Sequence, residues 1–216
     1  MTGPISTANP SFSEPTPTTT DERVDGGGSD RLATGPLVLA LACAWGLGEA
    51  TFFFIVPDVL LTLIATRSLR AAIKATLAAL AGALFGGALM VALAHASPET
   101  MHAFLLHIPG INTRLLERVA GQVNELGLLA VLFGPLKGIP YKIYAVEWGK
   151  RGGGLFTFLL ISIPARWVRF ALSAILTRLI ARLIEPLTGH RAMIEWLVLA
   201  AVWVVFYAFY FARFGW

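Results

Sequence analysis

One cysteine, Cys43, is present in 216 residues, so no intramolecular disulfide is possible and no zinc or redox motif can be assembled from thiols. Charge is also scarce: Asp, Glu, Lys and Arg make up 14% of the chain against 56% hydrophobic residues. The apolar runs are too long and too numerous for one water-soluble core of this size, which points to an all-α integral membrane protein. GxSxG, P-loop and dinucleotide fingerprints are missing, and "GKRGGG" at 149–154 lacks the strand and helix that a phosphate loop requires. His95, His102, His107 and His190 fall in or beside loops without metal-ligand spacing, so they read as surface residues and no metal or cofactor is expected. With no activated nucleophile or metal constellation, an enzyme acting on a lipid phosphate is the weakest functional reading, and no catalytic residue is assigned. The formal charge of +4, scattered among loops, suits lipid headgroups rather than nucleic acid.

Residues 1–34, rich in Pro, Ser, Thr and Gly, read as a disordered tail without the basic start and early apolar core of a secretory signal. The run from Pro36 to Thr66 follows. As one straight helix it would reach about 46 Å against a hydrocarbon slab of about 30 Å, yet it is too short for two full crossings. A re-entrant hairpin fits, with Pro57 at its tip, because proline removes a backbone donor and drives the preceding residue out of the helical region. Leu69 to Ala96 is a spanning helix, and its Gly82 and Gly86 form a GxxxG that lets a neighbouring helix come close. In "NTRLLERVAGQVNELG", Leu115, Leu116, Val119 and Val123 share one stripe, predicting an interfacial amphipathic helix.

A second broken run, Leu128 to Gly149, crowds Gly134, Pro135, Gly138 and Pro140 into its centre and predicts a second hairpin near 128–149. Two Gly/Pro-interrupted apolar segments in the two halves of a membrane chain are the sign of an inverted-repeat-like arrangement around a central site. Leu155 to Ile184 should be a helix kinked at Pro164. A C-terminal transmembrane helix occupies residues 186–216, its six aromatics between Trp203 and Phe211, with Trp216, suiting an interfacial belt. If both hairpins return to their side of entry, Arg67, Arg70, Lys74, Arg178, Arg182 and Arg191 share the side of the N-terminal tail. Arg114, Arg118, Lys150, Arg151 and Arg213 lie opposite, a bias toward a cytoplasmic N-terminus.

Acids inside an apolar run carry the functional signal. A carboxylate at mid-bilayer costs about 2.5–3.5 kcal/mol on insertion scales unless it faces protein or water. Glu49 sits about two helical turns before Pro57, where the alternatives are a buried ion pair or an interfacial position. Asp58 opens the second arm, where it is either an N-cap or a second functional carboxylate. Lys137 and Lys142 bracket "GIP" in the second hairpin, with Glu147 beyond. Lys137 is predicted to meet Glu49 across the hairpins, while Lys142 is either a phosphate contact or an interface anchor. Arg166 and Arg169, three residues apart, form either a guanidinium fork for a phosphate or a snorkelling pair.

The pieces "GEATFFFIVPDVLL", "LAGALFGGALM", "LLERVAGQVNELG", "VLFGPLKGIPYKIYAVEWG" and "FTFLLISIPARWVRF" resemble the DedA family of membrane proteins, which share the VTT (SNARE-associated) domain. The likeness covers about Gly35 to Leu183, within a membrane domain of residues 35–185. It implies a transporter or scramblase for an anionic lipid, phospholipid or polyprenyl phosphate, with proton coupling, in a bacterial-type inner (plasma) membrane. Membrane lipids would be the partners, and a homo-oligomer is compatible. The family's functional residues are acids of the first hairpin, matched by Glu49 and Asp58, and arginines of the second in an R-x-x-P-x-x-R pattern. Around Pro140 this chain has Lys137 three positions before, Ile143 three positions after and Lys142 one place short, so the arginine pair is not reproduced. Lysine does not supply a planar bidentate grip. The alternative of another class is a non-transporting scaffold or assembly factor whose charges lock the two hairpins together.

Overall fold

A computed structural model describes residues 35–188 and 192–214; the tail of residues 1–34, His190, Arg191 and Trp216 lie outside the described residues. All regular elements among the described residues are helical. They are α1 (Pro36–Thr51), α2 (Asp58–Arg67), α3 (Leu69–Ala96), α4 (Pro98–Leu106), α5 (Thr113–Leu126), α6 (Leu129–Phe133), α7 (Tyr141–Lys150), α8 (Leu155–Thr188) and α9 (Ala192–Phe214), with one 3₁₀ turn at Pro135–Lys137. Among the described residues three helices are long and apolar enough to cross a membrane: α3, α8 over Leu155–Ile184, and α9 over Met193–Ala212. The protein is thus an all-α integral membrane protein.

Both broken runs break where proline and glycine stand. The first splits into α1 and α2 on either side of residues 52–57, with Pro57 as the residue preceding α2. Backbone that leaves the helical ladder must find other hydrogen-bond partners. Here Trp45 Nε1 donates to the Ile55 carbonyl (3.0 Å), Lys142 Nζ to the Phe53 carbonyl (2.6 Å), and the Val56 N–H to Tyr207 Oη (2.9 Å). The second run splits into α6, the 3₁₀ turn and α7, and Gly138 turns the chain at φ 81°, a left-handed conformation that glycine adopts without strain. Helix α8 runs through Pro164, as its sequence predicts, and extends to Thr188.

Helix α3 is the spine, packing against α1, α7 and α8. Its glycines meet α1 backbone to backbone. A Cβ on Gly82 would lie 1.9 Å from the Cys43 carbonyl oxygen, and one on Gly46 would lie 2.1 Å from that of Ala79. The GxxxG therefore works as its spacing suggests, with α1 as the close neighbour. An alanine-rich layer of Ala42, Ala65, Ala72, Ala75 and Ala79 continues this close approach into α2 and α8. Below it a second core gathers Val91, Met101, Leu105, Ile143, Val146 and Phe158.

The apolar stripe of α5, Leu115, Leu116, Val119 and Val123, is buried in that second core, not turned to lipid. The amphipathic pattern was legible, but it cannot distinguish a membrane surface from the covering protein. Gly121, on the same helix, has nothing within 4 Å of where its Cβ would stand. Gly121→Ala is expected to stabilise the protein by about 0.5–1 kcal/mol through helix propensity, read as a raised midpoint in detergent thermal unfolding.

Candidate functional site

The site forms where the first broken run faces α8. On that helix Ser162, Arg166, Arg169, Phe170 and Ser173 recur at three- and four-residue intervals, so they share one face. Glu49, on the last turn and a half of α1, is 3% exposed, and Arg166 is fully buried. The two terminal guanidinium nitrogens of Arg166, Nη1 and Nη2, donate to the Glu49 carboxylate, Nη1 at 3.3 Å, a bidentate ion pair between positions 117 residues apart. The guanidinium lies between the rings of Tyr141 (4.6 Å) and Phe170 (4.8 Å), which replace its hydration with π faces. Tyr141 is held in turn by donating to Ser162 Oγ (2.8 Å). Arg166 Nε is buried without a hydrogen-bond partner.

One turn further along α8, Arg169 donates to Asp58 Oδ2 (2.8 Å) and Ser173 Oγ donates to Asp58 Oδ1 (2.6 Å). Asp58 does not cap α2, because the position before the helix is Pro57 and no side-chain cap bond is made. Its carboxylate is turned sideways to α8 instead. This second pair is less sealed than the first: the Arg169 side chain is 19% exposed, against 0% for Arg166.

Lys142, on α7, is 1% exposed and gives one of its three ammonium donors to the Phe53 carbonyl. It is not an interface anchor. Lys137, in contrast, is exposed and does not reach Glu49. The expected Glu49–Lys137 contact is thus replaced by Glu49–Arg166. The flexible lysine stem at a turn has an outlet toward the surface, whereas an α8 guanidinium is already presented to α1. Nor do Arg166 and Arg169 combine into one fork, since each takes its own carboxylate. Glu147 pairs with Lys150 (3.3 Å) and Arg151 (2.9 Å) at the far end of α7, away from this group.

Two neighbouring spaces adjoin the charges. An inner cavity of about 50 Å³ touches Glu49, Lys142 and Arg169, room for a few waters. An outer crevice of about 550 Å³ is lined by Asp58, Lys137, Arg169 and Ser173 on one side and by Trp203 and Phe206 of α9 on the other. Val56, Gly138, Arg169, Phe206 and Tyr210 border both. Among the groups predicted from sequence, Glu49, Asp58, Lys142, Arg166 and Arg169 come together with Pro57, Gly138 and Pro140 nearby, and Lys137 and Pro135 stand at the crevice. Tyr141, Ser162, Phe170 and Ser173 were not anticipated, although the α8 spacing contained the signal. Comparison with family models, curated proteins and solved structures returns no match to the chain.

Proposed function

We propose that the protein moves an anionic lipid headgroup, of a phospholipid or polyprenyl phosphate, across the bilayer through the polar slot between its two broken runs. The observation that carries this reading is a charge imbalance. Lys142, Arg166 and Arg169 face Glu49 and Asp58, so three basic groups meet two acidic ones and, in formal charge, one basic group is left without an acid in a mostly buried place. An uncompensated buried charge is costly, and an incoming anion removes the cost. Lys142 retains two free donors beside the inner cavity, and Lys137 adds a further cation at the mouth of the crevice. On this reading Lys142, Arg169 and Lys137 take the phosphate, Asp58 holds Arg169 in its absence, and Glu49 is the proton-sensitive switch, whose protonation frees Arg166.

Arm lengths support re-entrant hairpins. At about 1.5 Å per residue the 16 residues of α1 reach about 24 Å and the 10 of α2 about 15 Å, both short of a slab of about 30 Å. Two such interrupted segments around a central charge group are consistent with an inverted-repeat-like transporter and with the resemblance to DedA/VTT proteins. A bacterial-type inner membrane and a cytoplasmic N-terminus belong to the same proposal.

Reconstitution with fluorescent lipids tests it through Lys142→Met. Methionine fills the same space and removes the surplus charge, while the Phe53 carbonyl loses its donor at a cost of about 1–3 kcal/mol, so the thermal midpoint is measured beside the flux. Translocation of an anionic lipid is expected to fall at least about tenfold; an unchanged rate removes Lys142 from the mechanism. A scaffold reading has one observation in its favour: Arg166 borders neither cavity, as a purely locking pair would require.

A further inference from the structure

Helix α9 forms a wall of both spaces. Phe206, Tyr207 and Tyr210 close the inner cavity, and Trp203, Phe206 and Phe209 the outer crevice. Behind that wall stand Asp58, Arg169 and Lys142. Yet no residue in the most apolar stretch of α9 is buried, whereas half of that of α3 and a third of that of α8 are. Lipid tails are as apolar as leucine, so inside a bilayer there is no hydrophobic force to press such a helix onto its neighbours.

What holds α9 to the first broken run is polar and aromatic. The Val56 N–H donates to Tyr207 Oη (2.9 Å), and Trp203 Nε1 donates to Thr62 Oγ1 (3.1 Å). Phe54 meets Tyr207 and Phe211 edge to face at 6.3 and 5.6 Å, and the Arg67 guanidinium lies 5.4 Å from the Trp196 ring. Side-chain hydrogen bonds within membranes are weak on average, so each multiplies the closed state only about threefold. The contacts of Tyr207 and Phe211 fall on residues 52–57, the irregular backbone between α1 and α2, where the Val56 amide needs an acceptor and Tyr207 supplies it, while Trp203 and Trp196 reach Thr62 and Arg67 of α2.

We infer that α9 is a removable wall: it lifts from the first broken run toward the bilayer, and a lipid headgroup enters the crevice sideways while its tails stay in the membrane. The inference rests on the anionic-headgroup reading above and narrows its substrate class to a membrane-dissolved amphiphile, as opposed to an anion arriving from water. A crevice of about 550 Å³ falls within the range of small-molecule sites, sufficient for a phosphate-bearing headgroup without its tails. Phosphate oxygens there would meet Arg169 and Lys137 and would also give the Val56 amide an acceptor once Tyr207 has moved away.

The test uses a single-cysteine reporter at Ile139, a buried residue of the inner cavity, in a Cys43→Ala background in proteoliposomes. A small charged thiosulfonate measures how often the cavity opens. Combining Tyr207→Phe with Trp203→Phe removes two hydrogen bonds and keeps both positions aromatic. Reporter labelling is expected to rise about eightfold, and Tyr207→Phe alone about threefold. Adding a lipid with one net negative charge to zwitterionic vesicles is expected to slow labelling, and inorganic phosphate at the same concentration is not. Labelling unchanged by the substitutions, or indifferent to the anionic lipid, overturns the inference, and protection by inorganic phosphate overturns the lipid route in favour of a soluble anion. Protection by anionic lipid without measurable translocation in any variant supports lateral entry and refutes transport, so the two readings fail separately.

Discussion

Glu49→Gln is expected to abolish translocation of anionic lipid while the chain still inserts, since glutamine is cheaper to place in a bilayer than a carboxylate. The same change should cost stability. It leaves the Arg166 guanidinium fully buried and facing an amide, and removing one partner of a buried pair costs about 3–5 kcal/mol. Loss of transport by itself would therefore not separate mechanism from folding. Glu49→Gln with Arg166→Gln does, because two amides can bond to each other and neither member of this pair is left charged and unpaired. The double variant is expected to recover most of the thermal midpoint in detergent and none of the flux. Recovery of a cellular phenotype along with the midpoint would instead favour a scaffold in which the pair only fastens α1 to α8.

Gly82→Ala should be nearly as damaging as a change at the charges, although it adds a single methyl to a helix far from them in sequence. The new Cβ would lie 1.9 Å from the Cys43 carbonyl oxygen and 2.9 Å from the Leu47 amide nitrogen. Both are backbone atoms of α1, so no side chain can turn aside and the helices must part. Overpacking a core costs about 1–3 kcal/mol when side chains can yield, and a backbone-to-backbone clash belongs at or above the upper end. Parting α1 from α3 also carries Glu49 out of register with Arg166. A fall in thermal midpoint together with lost flux is expected for Gly82→Ala, in contrast to the gain at Gly121. Equal midpoints for the two would mean that the close approach of α1 and α3 is wrong.

Much of the helix order was legible because its signals are local. Pro57 and the Gly134–Pro140 cluster end helices by their own backbone chemistry, and the Gly82–Gly86 spacing marks a close helix contact whatever the partner. Pairing was less legible. Glu49 and Arg166 are 117 residues apart, and Lys137, the basic group that stands out in the second run, proved to be exposed. Sequence identifies an acid that needs a cation but not which cation the packing presents. The aromatics of α9 illustrate the same limit. Their composition fits a headgroup belt, whereas Trp203 and Tyr207 use their polar tips on Thr62 and Val56. The stripe of α5 likewise predicted its own buried face but not that protein would cover it.

On the proposed mechanism, one basic group in excess of the buried acids, set between two interrupted helices, selects an anionic headgroup over a neutral one. Purified protein in liposomes, with two fluorescent phospholipids that differ only in headgroup charge, tests it most directly. The lipid with one net negative charge should cross leaflets at least about tenfold faster than in protein-free vesicles, and the zwitterionic one markedly more slowly. No acceleration of the anionic lipid, or equal acceleration of both, would contradict the account.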